Sequence, residues 1–200
     1  MRIVGGLYRS RRLLGPSGQS VRPTSDRVRE AAFSILEARK TLQGARVLDL
    51  YAGTGAFSLE ALSRGADGTV MVESSRAMHK VIQQNLQMLC LASRASVLPL
   101  SVEQALSPIR AHGPFDFVLL DPPYGDCEQA SSSSVIRAVG VAPFWVNEDA
   151  LILFEHSAKQ RPPALHHLDH ISTWCYGSTA LSLYCLSDKV KQKVREESEK

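Results

Sequence analysis

The chain predicts an α/β fold, a mostly parallel sheet covered by helices on both faces, and three observations carry that reading. From Ala45 to about Leu186, short apolar runs alternate with longer amphipathic stretches, the order a parallel sheet needs because each crossover requires a helix. The runs Phe117-Val118-Leu119-Leu120 and Leu151-Ile152-Leu153-Phe154 are apolar throughout, as in strands buried on both sides. A glycine loop follows the first apolar run and opens a helical stretch, the arrangement of a nucleotide-binding strand-turn-helix unit.

Strands are predicted at Arg46 to Leu50, Thr69 to Glu73, Ala95 to Leu100, Phe115 to Asp121 and Ala150 to Phe154. The clearest helix runs from Ser75 to about Leu91, with Met78, Val81, Ile82, Leu86 and Leu89 at the spacing of one buried face. Another precedes the first strand, with Asp26 as its expected N-cap and Val28, Ala31, Ala32, Ile35 and Leu36 as its apolar stripe. Ile171 to Cys175 and Thr179 to Leu186 flank Tyr176-Gly177-Ser178, short enough for a hairpin that adds an antiparallel strand. Turn signals at Gly5-Gly6 and Gly15-Pro16-Ser17-Gly18 predict a small β extension. The expected organisation is therefore residues 1–24 as a basic N-terminal β extension, 25–187 as the α/β domain and 188–200 as a frayed or disordered polar tail.

Two hundred residues suit one domain, and 44% apolar with 22% charged residues exclude collagen, coiled coil and wholesale disorder. No apolar stretch approaches the ~20 residues of a bilayer crossing and no secretory run follows the first arginines, so a soluble, cytoplasmic protein is expected. Cys90, Cys127, Cys175 and Cys185 form no CxxC pair, which predicts reduced packing thiols rather than zinc or disulfides. His166, His167, Asp169 and His170 lack ligand spacing and read as a surface loop, so no metal is expected.

Charge placement is more telling than the net value of +3. Residues 1–29 hold Arg2, Arg9, Arg11, Arg12, Arg22, Arg27 and Arg29 against the single acid Asp26, a balance of +6 that leaves −3 for the rest. Guanidinium groups bind phosphate bidentately and stack on bases, so this start is a candidate nucleic-acid contact, against the plainer reading of a solvated basic arm. Arg9, Arg11, Arg12, Arg22, Thr24 and Arg27 are the candidate RNA-binding residues.

The loop Asp49-Leu50-Tyr51-Ala52-Gly53-Thr54-Gly55 lets a ligand approach the backbone, and Glu73 stands twenty residues after Gly53, where an acid accepts from ribose hydroxyls. Ser58 replaces the third glycine of the dinucleotide fingerprint, and Asp49 lies inside the strand end. A carboxylate there repels a pyrophosphate and attracts an ammonium, which favours S-adenosylmethionine as the ligand. Asp121-Pro122-Pro123-Tyr124 sits at the carboxyl edge of its strand. The Asp121 carboxylate and Pro122 carbonyl can accept the two hydrogens of an exocyclic amine, and Tyr124 can stack on its base. His156, beside Glu155, is expected to end the fifth strand, either lining an RNA path or as a plain loop residue.

These residues resemble the bacterial RsmD-type methyltransferases, which modify the N2 amine of a guanine in small-subunit ribosomal RNA. The likeness covers nearly the whole chain: Met1-Arg2-Ile3-Val4-Gly5-Gly6 with Tyr8-Arg9, then Arg22-Pro23-Thr24-Ser25-Asp26-Arg27-Val28-Arg29-Glu30, Val47 to Gly55, Glu60 to Ala66, Asp121 to Tyr124, Glu155-His156 and Tyr176-Gly177. The glycine loop and Asp-Pro-Pro-Tyr are shared by many amino methyltransferases, and the Arg-Pro-Thr segment narrows the choice. The resemblance implies a Rossmann-like sheet of seven strands with the last antiparallel. It implies S-adenosylmethionine held by Asp49, Tyr51, Gly53, Gly55 and Glu73, catalysis around Asp121, Pro122 and Tyr124, and an arginine-rich start that docks RNA. Where many methyltransferases put an acid for the cofactor adenine, this chain has Ser101-Val102, which leaves a backbone amide for that contact. The implied partner is 16S ribosomal RNA in the small subunit or an assembly intermediate, approached by a monomer. Two other functions stay open: an adenine-N6 methyltransferase acting on DNA or RNA, and a catalytically silent rRNA-binding assembly factor.

Overall fold

The computed structural model describes residues 1–15, 25–122 and 145–192. In chain order these form α1 (Asp26–Glu37), β1 (Arg46–Asp49), α2 (Ala56–Ser63), β2 (Gly68–Val72), α3 (Arg76–Met88), a 3-10 turn at Ala92–Arg94, β3 (Ala95–Leu98), α4 (Val102–Arg110), β4 (Phe115–Leu120), β5 (Val146–Ser157), β6 (Leu168–Tyr176) and β7 (Thr179–Leu186). One seven-stranded sheet has the order β3-β2-β1-β4-β5-β7-β6, with β7 antiparallel to both its neighbours and the other strands parallel. This is the Rossmann-like topology the sequence predicts. The strand order turns back between β1 and β4, and the crevice at their carboxyl ends is where such sheets take ligands. No helix among the described residues is long and apolar enough to cross a membrane.

Both faces of the sheet are covered, which explains the unbroken apolar runs. Leu48, Val118, Leu120, Ile152 and Phe154 pack on one side with Val102, Ala105 and Ile109 of α4. Val47, Phe117, Leu119, Leu151 and Leu153 pack on the other with the stripe of α1, while Met71 of β2 meets α2 and α3. Strand β5 exceeds its predicted span at both ends, pairing with β4 on one edge and β7 on the other.

Several local expectations change. Helix α1 is capped by Ser25, whose hydroxyl accepts from the Val28 amide at 3.2 Å; the Asp26 carboxylate is engaged by Arg29 instead, at 2.8 Å. Asp169 and His170 belong to β6 rather than a loop, while His166 and His167 lie exposed just before it. Cys90 and Cys175 are exposed, not packed inside, and Cys127 lies outside the described residues. Residues 188–192 are helical and bury Val190. Ser157, not His156, ends β5.

The N-terminal segment closes one antiparallel bridge, Arg2 to Arg12, and is held by side chains of the core. Buried Glu60 of α2 accepts from the amides of Val4 and Gly5 at 2.8 and 2.7 Å. Ser63 donates to the Gly5 carbonyl at 2.6 Å and accepts from the Tyr8 amide at 2.9 Å. Gly6 adopts φ +73°, and a Cβ there would stand 1.9 Å from the Ser63 carbonyl oxygen, so this contact requires glycine. Arg29 leaves the basic surface altogether: it is fully buried beneath this segment, donates to the Arg2 carbonyl and pairs with Asp26 at 2.8 Å and Glu60 at 3.5 Å.

Removing one partner of a buried ion pair leaves a charge without compensation, which costs about 3–5 kcal/mol. Glu60→Ala is therefore expected to lower the unfolding free energy by about that amount, against about 1 kcal/mol for loss of the cap in Ser25→Ala. Chemical denaturation of the two variants checks the ranking.

Candidate active site

Strand β1 ends in the loop that the sequence singles out, and the backbone explains its glycines. Gly53 and Gly55 adopt φ +53° and +79°, the left-handed region that side chains disfavour. A Cβ on Gly55 would press on Met71 Sδ at 3.3 Å, whereas a Cβ on Gly53 would meet nothing within 4 Å and project into open space. The first glycine thus keeps an approach to the backbone clear, and the second lets α2 pack on β2.

Glu73 follows β2 directly and bridges two amides, accepting from Gly53 at 2.8 Å and Ser75 at 2.7 Å. It thereby ties the loop to the start of α3. A carboxylate has about four acceptor positions, so this leaves capacity for the hydroxyls of a ligand. Asp49 is buried, and its carboxylate accepts from Ser58 Oγ at 2.8 Å, while Thr69 donates to Ser58 at 3.0 Å. Ser58, the departure from the dinucleotide pattern, is thus the residue that orients Asp49. Burial pushes the Asp49 carboxyl up to about 7, with repulsion from Asp121 and Glu73 adding to it against the Ser58 bond.

Asp121 and Pro122 directly follow β4; β1 and β4 pair in register with Asp49 beside Leu119. The structure therefore brings Asp49, Glu73 and Asp121 to one crevice. Asp49 and Glu73 make no ion pair among the described residues. An open glycine backbone beside three carboxylates fits a ligand carrying a positive charge and hydroxyl groups. Tyr51 is half-buried against the core on the α4 side.

Ser101 has another task in this structure. Its hydroxyl accepts from the Gln104 amide at 3.4 Å, its amide donates to Gln104 Oε1 at 3.2 Å and its carbonyl accepts from Ala105, so all its polar groups build the first turn of α4. Val102 is buried beside it. Tyr124, Arg22 and Thr24 lie outside the described residues. Arg9, Arg11, Arg12 and Arg27 are exposed and make no ion pair among the described residues, in contrast to Arg29.

His156 fits neither reading made from the sequence. It is buried inside β5, stacked on Phe154, with Nε2 2.7 Å from Ser182 Oγ and Nδ1 3.0 Å from the Ser157 carbonyl. No group of His, Cys, Asp and Glu able to hold a metal occurs among the described residues. Sequence reasoning also passed over Asn85, fully buried among Ile82, Leu86 and Leu89. The available signal was an amide on an otherwise apolar stripe.

Fold and site define a Rossmann-like methyltransferase, the class whose methyl donor is S-adenosylmethionine. The family described as Conserved hypothetical protein 95 matches residues 1–185, and the chain belongs to that family, the RsmD family. It is 34% identical over 166 residues to ribosomal RNA small subunit methyltransferase D of Escherichia coli K12, covering 82% of this chain and 79% of that protein. It is 30% identical over 186 residues to the putative rRNA methyltransferase YlbH of Bacillus subtilis, covering 92% and 98%. The solved structure of the putative methyltransferase yhhF from Escherichia coli superposes with a TM-score of 0.77 at 31% identity, covering 94% of this chain and 98% of that one.

Asp49 binds a proton more tightly folded than unfolded, so its contribution to stability is largest below its ordinary value of 3.8 and falls as pH rises to about 7. Asp49→Asn is expected to remove that decline and raise the melting temperature of the ligand-free protein above pH 7. Melting curves taken between pH 4 and pH 8 test it, and an unchanged slope contradicts the assignment.

Proposed function

We propose that this protein transfers a methyl group from S-adenosylmethionine to the exocyclic N2 amine of a guanine in 16S ribosomal RNA, acting in the cytoplasm as a monomer on the small subunit or an assembly intermediate. The observation that carries the reading is the convergence of the open Gly53 backbone, Asp49, Glu73 and Asp121 at the β1 and β4 carboxyl ends. The names of the two relatives above, both rRNA methyltransferases, support the substrate class.

When bound, the cofactor supplies an electrophilic methyl carbon. Asp49 would face its ammonium group, directly or through water, and shed its own proton as positive charge arrives. Glu73 would accept from the ribose hydroxyls with the lone pairs its two amide bonds leave free. Gly53 and Gly55 keep the backbone accessible, Tyr51 would border the pocket, and Ser101 and Val102, at the first turn of α4, would flank the adenine. Asp121 and the Pro122 carbonyl would each accept one hydrogen of the guanine amine and so orient its lone pair for attack; positioning would supply most of the rate. The amine would become acidic only as its nitrogen takes the methyl group from the sulfonium, whose C–S bond breaks to leave the neutral thioether, and Asp121 would then accept the proton. Tyr124 stacks on the flipped base.

Arg9, Arg11, Arg12, Arg22, Thr24 and Arg27 hold RNA phosphates, and the exposed guanidinium groups of Arg9, Arg11, Arg12 and Arg27 are free for that task. The adenine-N6 alternative has the same amine geometry; no insert of the size a sequence-reading DNA enzyme needs lies between these elements, while an adenine enzyme acting on RNA stays open until the product is identified. The silent assembly factor requires a damaged site, and Asp121, Pro122, Pro123 and Tyr124 are all present.

Incubation with labelled S-adenosylmethionine and small-subunit ribosomal RNA, followed by nucleoside analysis, is expected to yield N2-methylguanosine. N6-methyladenosine, or no product, overturns the reading. Asp121→Ala is expected to abolish turnover while leaving cofactor affinity within about twofold, and charge reversal at Arg27 to weaken RNA binding and its salt dependence.

A further inference from the structure

The basic segment and the cofactor loop meet at one side chain. Asn85 of α3 accepts from the Leu14 amide at 2.8 Å and donates to the Leu14 carbonyl at 3.2 Å, pairing with that residue as a neighbouring strand would. Its second N–H donates to the carbonyl of Thr54, between Gly53 and Gly55, at 3.1 Å. Both hydrogens of the amide are therefore used, in a side chain with no solvent exposure. The other end of the segment reaches the same place, with Thr54 Oγ1 3.7 Å from Met1 Sδ. Arg9, Arg11 and Arg12 lie between these two anchors.

We infer that Asn85 is a positioning residue that couples RNA docking to cofactor binding, so that RNA held by the arginine segment tightens the grip of the Gly53 to Gly55 loop on the cofactor. This rests on the reading of that segment as the RNA-docking element. The physical basis is shared order. A buried amide partner is costly to lose, so Leu14 and Thr54 hold their places together. A ligand that orders one lowers the cost of ordering the other. Linkage makes the effect reciprocal: the cofactor must tighten RNA by the same factor.

The test measures the dissociation constant of S-adenosylhomocysteine, which avoids turnover, with and without saturating protein-free small-subunit ribosomal RNA. Wild type is expected to bind it at least about fivefold tighter when RNA is present, the low end of ordinary coupling. Asn85→Ala is expected to bring that ratio close to one while still binding each ligand separately, a change that general loosening of the fold would not produce. A wild-type ratio of one, or a wild-type ratio retained in Asn85→Ala, overturns the inference. The combined Arg9→Ala, Arg11→Ala, Arg12→Ala variant separates the two ideas. If it binds RNA as wild type does, the docking assignment itself fails; if it loses RNA affinity while Asn85→Ala keeps its ratio, only the coupling fails. Should Asn85→Ala not fold, hydrogen exchange on the unmodified protein decides. Added S-adenosylhomocysteine is expected to slow exchange of the Leu14 amide, and an unchanged rate contradicts the coupling.

Discussion

Three carboxylates at the turning point of a parallel sheet set the terms for the rest of the molecule. Asp49 is buried and repelled by Asp121 and Glu73, and burial alone already favours its protonated form. Such a concentration of acid detracts from the stability of the empty protein and gains its value only when a cation arrives. The surrounding structure is arranged to bear that load. Ser58, itself held by Thr69, supplies Asp49 with a hydroxyl donor, and Glu73 accepts from the Gly53 and Ser75 amides. The glycine loop consequently presents an open backbone at Gly53 and also donates to one of the acids beside it.

A second buried charge system holds the N-terminal segment. Arg29 lies beneath that segment with Glu60 and Asp26 as its counter-charges, and Glu60 also accepts two backbone amides of the segment. Arg64 completes the group, donating to Glu60 at 2.9 Å and to Glu37 at 2.7 Å while its guanidinium packs over Phe33. Buried ions are kept in place by each other, so the segment docks in one register against α2. That register leaves the Arg9, Arg11 and Arg12 side chains exposed, whereas a loosely tethered arm would fix none of them.

Strand positions, the two helical stripes and the glycine loop were legible because each follows from a local rule: strand burial, apolar period, and glycine where φ is positive. Ser58 was legible as a departure and became intelligible only once Thr69, eleven residues away, was seen beside it. Arg29 shows the limit from the other side. Sequence charge counts it with its neighbours at Arg27 and Arg22, yet its place on the inner face of α1 removes it from the surface, and no linear balance distinguishes the two fates. The partners of Asn85 are 31 and 71 residues distant, so its isolated polarity is visible in the sequence but its purpose is not. The Ser25 cap was missed for a simpler reason: Ser25 and Asp26 are adjacent, both good caps, and the tertiary pull of Arg29 on Asp26 decides between them.

Charge is thus separated by place, and this constrains how a nucleic acid could approach. His156 adds no positive charge at the crevice: burial holds its imidazole below the usual histidine range, and Nδ1–H bonding to the Ser157 carbonyl makes Nε2 the acceptor of the Ser182 hydroxyl. Ser182 in turn accepts from Thr173, and Thr173 from His170, so the chain of hydrogen bonds running out to the β6 surface is satisfied with the imidazole neutral. His156, two residues past the last pairing of β5 with β4, therefore does nothing to offset the acids. A phosphate entering the crevice would meet the acids Asp49, Glu73 and Asp121. Such acids repel the phosphates of a nucleic acid, whereas an uncharged base can offer them amine hydrogens. On the proposed reading, the acids that favour a sulfonium donor thereby also disfavour the phosphates of the acceptor, so that the two reactants would meet through the base.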